Sequence, residues 1–401
     1  MKIKQTTTAS QYVPLDMLKE LPNSHWPMSI GIPKENLKTE KRLVFTPEAV
    51  EMIVDAGHEV VFEEEAGRGI HYSDAAYIES GAKITDDRKQ VLACDLIFKI
   101  TPPSMEEVQW MKKKSTIFSL LQMQDISLDL IQAMANRQVN AIAYELITPD
   151  GLNFPVRNAI SEIEGAASIS VASELLSNEK SGKGILLGGV PGVSPTEIVI
   201  IGAGMAGTVA ARAALSLGAL VKVFDCNIAK LRQLQNHLGP AVFTSVFQPN
   251  VLMNAFKSAD AVIGVMNYIN NPVHEVVSEI VIKNMKQGSV LLDLRIDQGG
   301  CFETTCFLPV GHPVIFEKHG VLHYCVSNLS SRVARTAAMA LSNIFVPLIM
   351  QLSESGGAAG IPTTDVFRSG LYVYGGKLVN NYVAKQFNLT ASDISLYLSA
   401  F

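Results

Sequence analysis

The sequence predicts an α/β fold with two successive, largely parallel sheets. Three observations predict it. The chain has 401 residues, more than the about 250–300 at which single cores stop growing. Strand and helix patterns alternate along it, which argues for crossover-connected parallel strands. One strand, EIVII at 197–201, runs straight into the glycine turn GAGMAG and an alanine-rich helix, the most regular strand–helix–strand unit present.

In order along the chain, 28–32 reads as a strand. A helix follows from Pro47 to Ala56, with Thr46 as N-cap, Pro47 at the first helical position and Gly57 as the stop. Strands are expected at 59–62, 95–99, 116–121 and 141–145, and helices at 104–111 and 126–136. The Gly/Pro-rich stretch 182–195 separates this alternation from a second one. There the strands are 197–201, 220–224, 261–265, 289–294 and 321–326. An apolar helix covers 334–352, and its place after the last strand suits a return to the first unit. Residues 356–364 read as a loop, and the segment from Asp365 onward as helix and tail.

Hydrophobic residues at 48% and charged residues at 18% fill two cores and exclude a mainly disordered chain. The net charge of −5 gives no basic surplus for nucleic acid or anionic lipid, although Lys38, Lys41 and Arg42 cluster locally. The mean hydropathy of +0.21 invites a membrane reading. The apolar stretches 198–223 and 337–352 are broken by charges, glycines or proline. Neither supplies the ~20 clean apolar residues of a spanning helix. Strands buried on both faces explain the hydropathy better. The five cysteines include no CxxC pair, and residues 1–29 hold no apolar core of signal-peptide length. A cytoplasmic protein with its thiols buried as small hydrophobes is the expectation.

The glycine turn is the sharpest local motif. Gly202 permits the tight turn, Gly204 lets backbone approach a pyrophosphate, and Gly207 lets helix pack closely on strand. Met205 and Ala206 open the helix, whose unpaired N–H groups and positive dipole end suit phosphates. Asp225 stands 18 residues beyond Gly207, at the end of the next strand. An acid there accepts hydrogen bonds from ribose hydroxyls and repels a 2′-phosphate, which favours NAD over NADP. Lys230 and Arg232 nearby weaken that preference slightly.

Outside the turn, Arg42 is read either as a two-pronged clamp for a substrate carboxylate or as a solvated arginine. Lys99 ends an apolar strand before Pro102-Pro103. It is read as an anion or carbonyl ligand in the crevice at the strand ends, or as an edge-strand charge. Asp297 follows the strand 289–294 into a glycine-rich loop and offers a proton acceptor beside a nicotinamide, whereas Asp293 reads as structural. The eight histidines form no metal-ligand spacing. His58 and His71 lie in surface-like segments, and His319 and His323 flank a strand. There is no GxSxG for nucleophilic hydrolysis.

Several further stretches then carry a resemblance: IGIPKE at 30–35, KRLVFTP at 41–47, GGVPGV at 188–193, DLRIDQGGCFE at 293–303 and YCVSN at 324–328. With the glycine turn, they make the chain resemble the family of alanine dehydrogenases and the soluble NAD-binding subunit of proton-translocating transhydrogenase, from about 28 to 352. The resemblance implies two Rossmann-like doubly wound domains with a cleft between them, the first discontinuous. Residues 1–155 and 335–401 would form the substrate domain, and 156–334 the NAD-binding domain. It implies that Arg42 and Lys99 hold the carboxylate and carbonyl of pyruvate, and that Asp297 is the catalytic acid. Ser161, Asp225, Lys230 and Asn328 match positions that contact cofactor or the closed cleft. It also implies a homo-hexamer.

Two positions depart from the family pattern. Gln122 stands where alanine dehydrogenases usually carry a histidine, and the transhydrogenase subunit is similar in having glutamine near there. Glutamine hydrogen-bonds but exchanges no proton at neutral pH, so either the proton role passes to Asp297, Lys99 or water, or the chain is not an efficient alanine dehydrogenase. Arg295 puts a bulky cation where a small residue is usual. The resemblance implies NAD-dependent oxidative deamination of L-alanine to pyruvate and ammonia. Its alternatives are an NAD(H)-binding transhydrogenase-like subunit or sensor, and a related dehydrogenase of another amino acid.

Overall fold

The computed structural model describes residues 26–121, 126–180, 182–266, 276–306 and 312–394. Two sheets organise it. The first holds Ser29–Ile32 (β1), Glu59–Glu63 (β2), Lys83–Thr85 (β3), Leu96–Phe98 (β4), Thr116–Ser119 (β5) and Asn140–Ala143 (β6). The second holds Glu197–Ile201 (β7), Leu220–Phe224 (β8), Val242–Ser245 (β9), Ala261–Gly264 (β10), Val290–Asp293 (β11), Ile315–Lys318 (β12) and Val321–Cys325 (β13). The chain then returns to the first sheet with Leu371–Tyr374 (β14) and Lys377–Leu378 (β15).

The orders are β15-β14-β6-β5-β4-β1-β2-β3 and β12-β13-β11-β10-β7-β8-β9. Strands β1–β6 run parallel, as do β7–β11 with β13. Only β12, β14 and β15 pair antiparallel, at one edge of each sheet. Both sheets are therefore doubly wound and Rossmann-like. The order reverses between β1 and β4 in the first and between β7 and β10 in the second. A crevice opens at the carboxyl ends of the strands at such a reversal. The strands β5, β6, β10 and β11 are buried at every residue, which accounts for the raised hydropathy.

The long helix Ala334–Glu354 packs into the core of the first sheet. Its Phe345 ring meets Phe98 at 5.2 Å and Tyr144 at 5.4 Å, both edge-on. With the 3-10 turn before it, this segment reaches 26 residues and holds an 18-residue stretch of mean hydropathy 1.5, longer than the sequence suggested and enough by length and composition to cross a membrane. Here Leu341, Phe345, Ile349 and Leu352 on it belong to the buried core.

The structure corrects three expectations. The C-terminal segment contains a hairpin, not helix and tail alone. Gly375 and Gly376 have φ of 56° and 78°, the two left-handed residues of the hairpin turn that matches strand twist. A 22-residue helix, Pro155–Leu176, links the two sheets and had no expected counterpart. It buries Glu164, Gly165 and Ser168 besides apolar residues, so no clean amphipathic stripe marks it. Finally, His58 and His323 are buried, while Cys226 is exposed and Cys306 half-buried.

Candidate active site

The glycine turn sits at the reversal point of the second sheet. Gly202 has φ of 114°, and a Cβ there would fall 2.8 Å from the Met266 amide nitrogen beyond β10. A Cβ on Gly207 would fall 1.9 Å from the Gly202 carbonyl oxygen, so helix and turn touch through backbone. Gly204, the N-cap of the helix Met205–Ser216, has nothing within 4 Å of its Cβ position. No neighbour among the described residues demands glycine there, so the cradle fits a dinucleotide phosphate approaching the helix N-terminus.

Asp225 at the end of β8 is buried. Its Oδ2 accepts the Ala203 N–H at 2.8 Å and its Oδ1 the Asn227 N–H at 2.8 Å. The sequence assigned this acid to ribose alone. The structure shows it also ties the glycine turn to β8; Oδ1 takes the Cys226 thiol at 3.7 Å as well, which leaves Oδ2 with a lone pair for a ligand. Lys230 is exposed on the first turn of the helix Ile228–Leu238, its N–H 3.3 Å from the capping Asn227 side chain.

Lys99 directly follows β4, at the reversal point of the first sheet. Both neighbours of β4 are strands, so the edge-charge reading falls. Its buried Nζ donates to the Thr101 hydroxyl and lies 3.4 Å from Glu35 Oε2. Glu35 follows β1 and accepts the N–H groups of Ile100 at 2.6 Å and Thr101 at 3.1 Å. The carboxylate thereby fixes the turn that carries Lys99. Glu107 Oε2, 4.0 Å from Lys99 Nζ, joins the group.

Arg42 is buried, not solvated. Glu40 accepts from its Nε at 2.9 Å and its Nη2 at 2.6 Å, and the Ser330 hydroxyl from its Nη1 at 3.0 Å. Burial acts against both charges, but the Arg42–Glu40 pairing prevails, lowering the Glu40 pKa and raising that of Arg42. Of five guanidinium N–H donors, one remains on each terminal nitrogen.

Asp297 lies on the 3-10 turn Ile296–Gln298 beyond β11. Asp293, read as structural, is buried and anchors the loop: it accepts the N–H groups of Arg295 at 3.0 Å and Cys301 at 2.8 Å, and the Thr305 hydroxyl. Arg295 has a partner: its Nη1 is 3.3 Å from Glu164 Oε2 on the linking helix. Glu164 Oε1 in turn lies 3.4 Å from Ser330 Oγ. Ser161 is half-buried one helical turn before it.

The two halves meet at Asn328, Ser330 and Ser331. Asn328 Nδ2 donates to the Thr39 carbonyl at 2.9 Å, and Ser331 Oγ accepts the Lys41 N–H at 2.9 Å. These join the Arg42–Ser330 bond. Arg42, Asn328 and the loop bearing Asp297 are thus gathered at one junction. Gln122 lies outside the described residues. Sequence reasoning missed Glu35, Glu40 and Glu164. Glu35 closes the IGIPKE stretch and Glu40 stands two residues before Arg42, signals that were available. Glu164 had none, because its partner is 131 residues away.

Two doubly wound sheets, a dinucleotide-type glycine turn and the buried cations Arg42 and Lys99 fit a nicotinamide-nucleotide oxidoreductase. The family models "Alanine dehydrogenase/PNT, N-terminal domain" and "Alanine dehydrogenase/PNT, C-terminal domain" match residues 31–163 and 168–381. The chain belongs to this alanine dehydrogenase/PNT family. It is 36% identical over 367 residues to an alanine dehydrogenase of Staphylococcus saprophyticus, covering 92% of this chain and 99% of that one. A solved L-alanine dehydrogenase superposes with a TM-score of 0.81 at 33% identity, over 90% of this chain and 99% of that one. A transhydrogenase from Sinorhizobium meliloti shares the fold, with a TM-score of 0.73 at 22% identity over 88% and 99%.

Proposed function

We propose that this chain catalyses the NAD-dependent oxidative deamination of L-alanine to pyruvate and ammonia. The observation that carries it is the junction that joins Arg42, through Ser330 and Glu164, to the loop bearing Asp297. That link between Arg42 and the Asp297 loop supports a carboxylate-binding cation and a proton-handling carboxylate acting on one substrate. In this reading residues 1–155 and 335–401 form the substrate domain, and 156–334 the NAD-binding domain.

The two N–H donors that Arg42 keeps outside its contacts with Glu40 and Ser330 bind the substrate carboxylate. Lys99 binds the oxygen that becomes the pyruvate carbonyl, exchanging its long contacts to Glu35, Thr101 and Pro102 for it. Gly202, Gly204, Gly207 and the N–H groups of Met205 and Ala206 hold the pyrophosphate. Asp225 holds the ribose and excludes a 2′-phosphate, with Ser161, Lys230 and Asn328 completing the contacts. A nicotinamide held there would supply the acceptor for the hydride leaving Cα. Asp297 takes the proton of the water that adds to the resulting imine and returns it to the departing nitrogen. Gln122 supplies a hydrogen bond and no proton. The working form is a cytoplasmic homo-hexamer, a proposal that rests on family resemblance.

The test is a panel of amino acids with NAD and NADP, read as NAD(P)H absorbance. Alanine with NAD is the expected pair. Turnover of a different amino acid would redirect the reading to a related dehydrogenase, and none across the panel would overturn it. Asp297→Asn should lower kcat by about 10²-fold or more with NADH binding retained.

A further inference from the structure

Glu164 is a buried carboxylate and Arg295 a half-buried cation on a different element; Arg42 is a second cation acting on Glu164, and Asp293 a second carboxylate near Arg295. Arg295 side-chain exposure is 12% and that of Glu164 4%. The Arg295 Nε is buried with no hydrogen-bond partner among the described residues. Burying the Glu164 carboxylate costs free energy that Arg295, with Arg42 behind it, offsets. Burial is the dominant influence on Glu164 and raises its pKa, while Arg295 and then Arg42 oppose it.

The position of Glu164 matters more than its pairing. One turn of the linking helix touches three parts of the cleft. A Cβ on Gly165 would fall 2.3 Å from the Ala206 carbonyl oxygen, so this turn lies directly on the glycine-turn helix. Glu164 Oε2 reaches Arg295, two residues before Asp297. Glu164 Oε1 reaches Ser330, whose hydroxyl accepts from Arg42. A shift of this carboxylate displaces both the substrate cation and the catalytic loop.

We propose that Glu164 is a positioning residue that sets Arg42 and the Asp297 loop relative to one another through Ser330 and Arg295. Glu164 touches no reacting atom in this assignment. It rests on the roles proposed above for Arg42 and Asp297. It goes beyond them in assigning a function to a residue pair that the sequence showed only as an out-of-place arginine.

The experiment compares wild type with Glu164→Gln, Arg295→Ala, Arg295→Lys, Ser330→Ala and the Glu164→Gln/Arg295→Ala double variant. Steady-state kinetics with alanine, NADH affinity, and backbone hydrogen exchange over 38–44 and 294–301 are measured. Glu164→Gln should raise KM for alanine about tenfold and also lower kcat, with NADH affinity held within about twofold. Exchange should quicken in both segments. The double variant should be no worse than the worse single one, and Arg295→Lys should restore much of the loss. Ser330→Ala, the mildest change, should raise KM and spare kcat. A purely structural role would lower the active fraction and leave KM alone. Additive singles, faster exchange in one segment only, or an unchanged KM in Ser330→Ala would overturn the proposal. Ser330→Ala decides it if Glu164→Gln does not fold. If the wild type turns over no alanine, the functional reading fails, and the exchange data still decide whether Glu164 couples the two segments.

Discussion

Glu40 grips the Arg42 guanidinium with both carboxylate oxygens, Oε1 at 2.9 Å from Nε and Oε2 at 2.6 Å from Nη2. Both side chains are almost fully enclosed, at 4% and 6% exposure. The fork is planar and two-pronged, so Glu40 fixes the orientation of Arg42 as well as its charge. The fork and the Ser330 contact leave one N–H on each terminal nitrogen of the guanidinium.

Glu40→Ala should therefore destabilise the fold by roughly 3–5 kcal/mol, because it leaves a buried cation uncompensated. Urea unfolding midpoints measure this. A loss under about 1 kcal/mol would place the pair in the class of weak surface bridges instead.

Gly207→Ala should weaken NADH binding and lower stability by roughly 1–3 kcal/mol, the scale of overpacking. The added Cβ would stand 1.9 Å from the Gly202 oxygen, and the turn must move to admit it. Calorimetric titration with NADH and a thermal melt read the two effects separately. Unchanged binding would mean that the turn does not hold the cofactor.

Asp225→Asn should narrow the preference for NAD over NADP by at least about tenfold, because it removes a like charge from the 2′-phosphate. It should also loosen the turn, since the buried Oδ2 accepts the Ala203 N–H. The ratio of kcat/KM for the two cofactors is the measurement. An unaltered ratio would move cofactor selection away from Asp225.

Burial pushes the Glu145 carboxyl up to about 8, and its Oε2 has no hydrogen-bond partner among the described residues. Its folded pKa is raised above the unfolded one. Between about pH 4.5 and 8 the folded state keeps a proton that the unfolded chain has lost. Stability should then fall as pH rises through this window, by up to roughly 1.4 kcal/mol per pH unit from this group. Glu145→Gln should flatten that fall, as followed by denaturant titrations at several pH values. A wild-type curve unaffected by the substitution would show that Glu145 is ionised throughout.

The strands at 28–32, 197–201 and 220–224 were legible almost to the residue, because a run of β-branched and aliphatic side chains bounded by glycine or proline has few alternatives. The three short or edge strands β3, β9 and β12 were not. The hairpin of β14 and β15 was missed although Gly375-Gly376 between alternating residues is itself a hairpin signal. At the site, the glycine turn was legible from its place after an apolar strand, while Lys99 was undecided between crevice ligand and edge charge until its strand proved to have a neighbour on each side. Arg42 was undecided between clamp and solvated charge, since nothing local says whether an arginine is covered.

The sequence by itself determined the alternation of elements, the dinucleotide turn with its acid, and the residue types that a carboxylate and a proton require. These follow from local periodicity and from chemistry that neighbours within a few residues supply. Only the tertiary structure decided that Arg42 is buried against Glu40, that Asp225 holds the turn, and that Glu164 meets Arg295 across 131 residues. Those are pairings of charge under burial. A charge's partner and its exclusion from water depend on which elements pack together, and no stretch of sequence taken alone contains that.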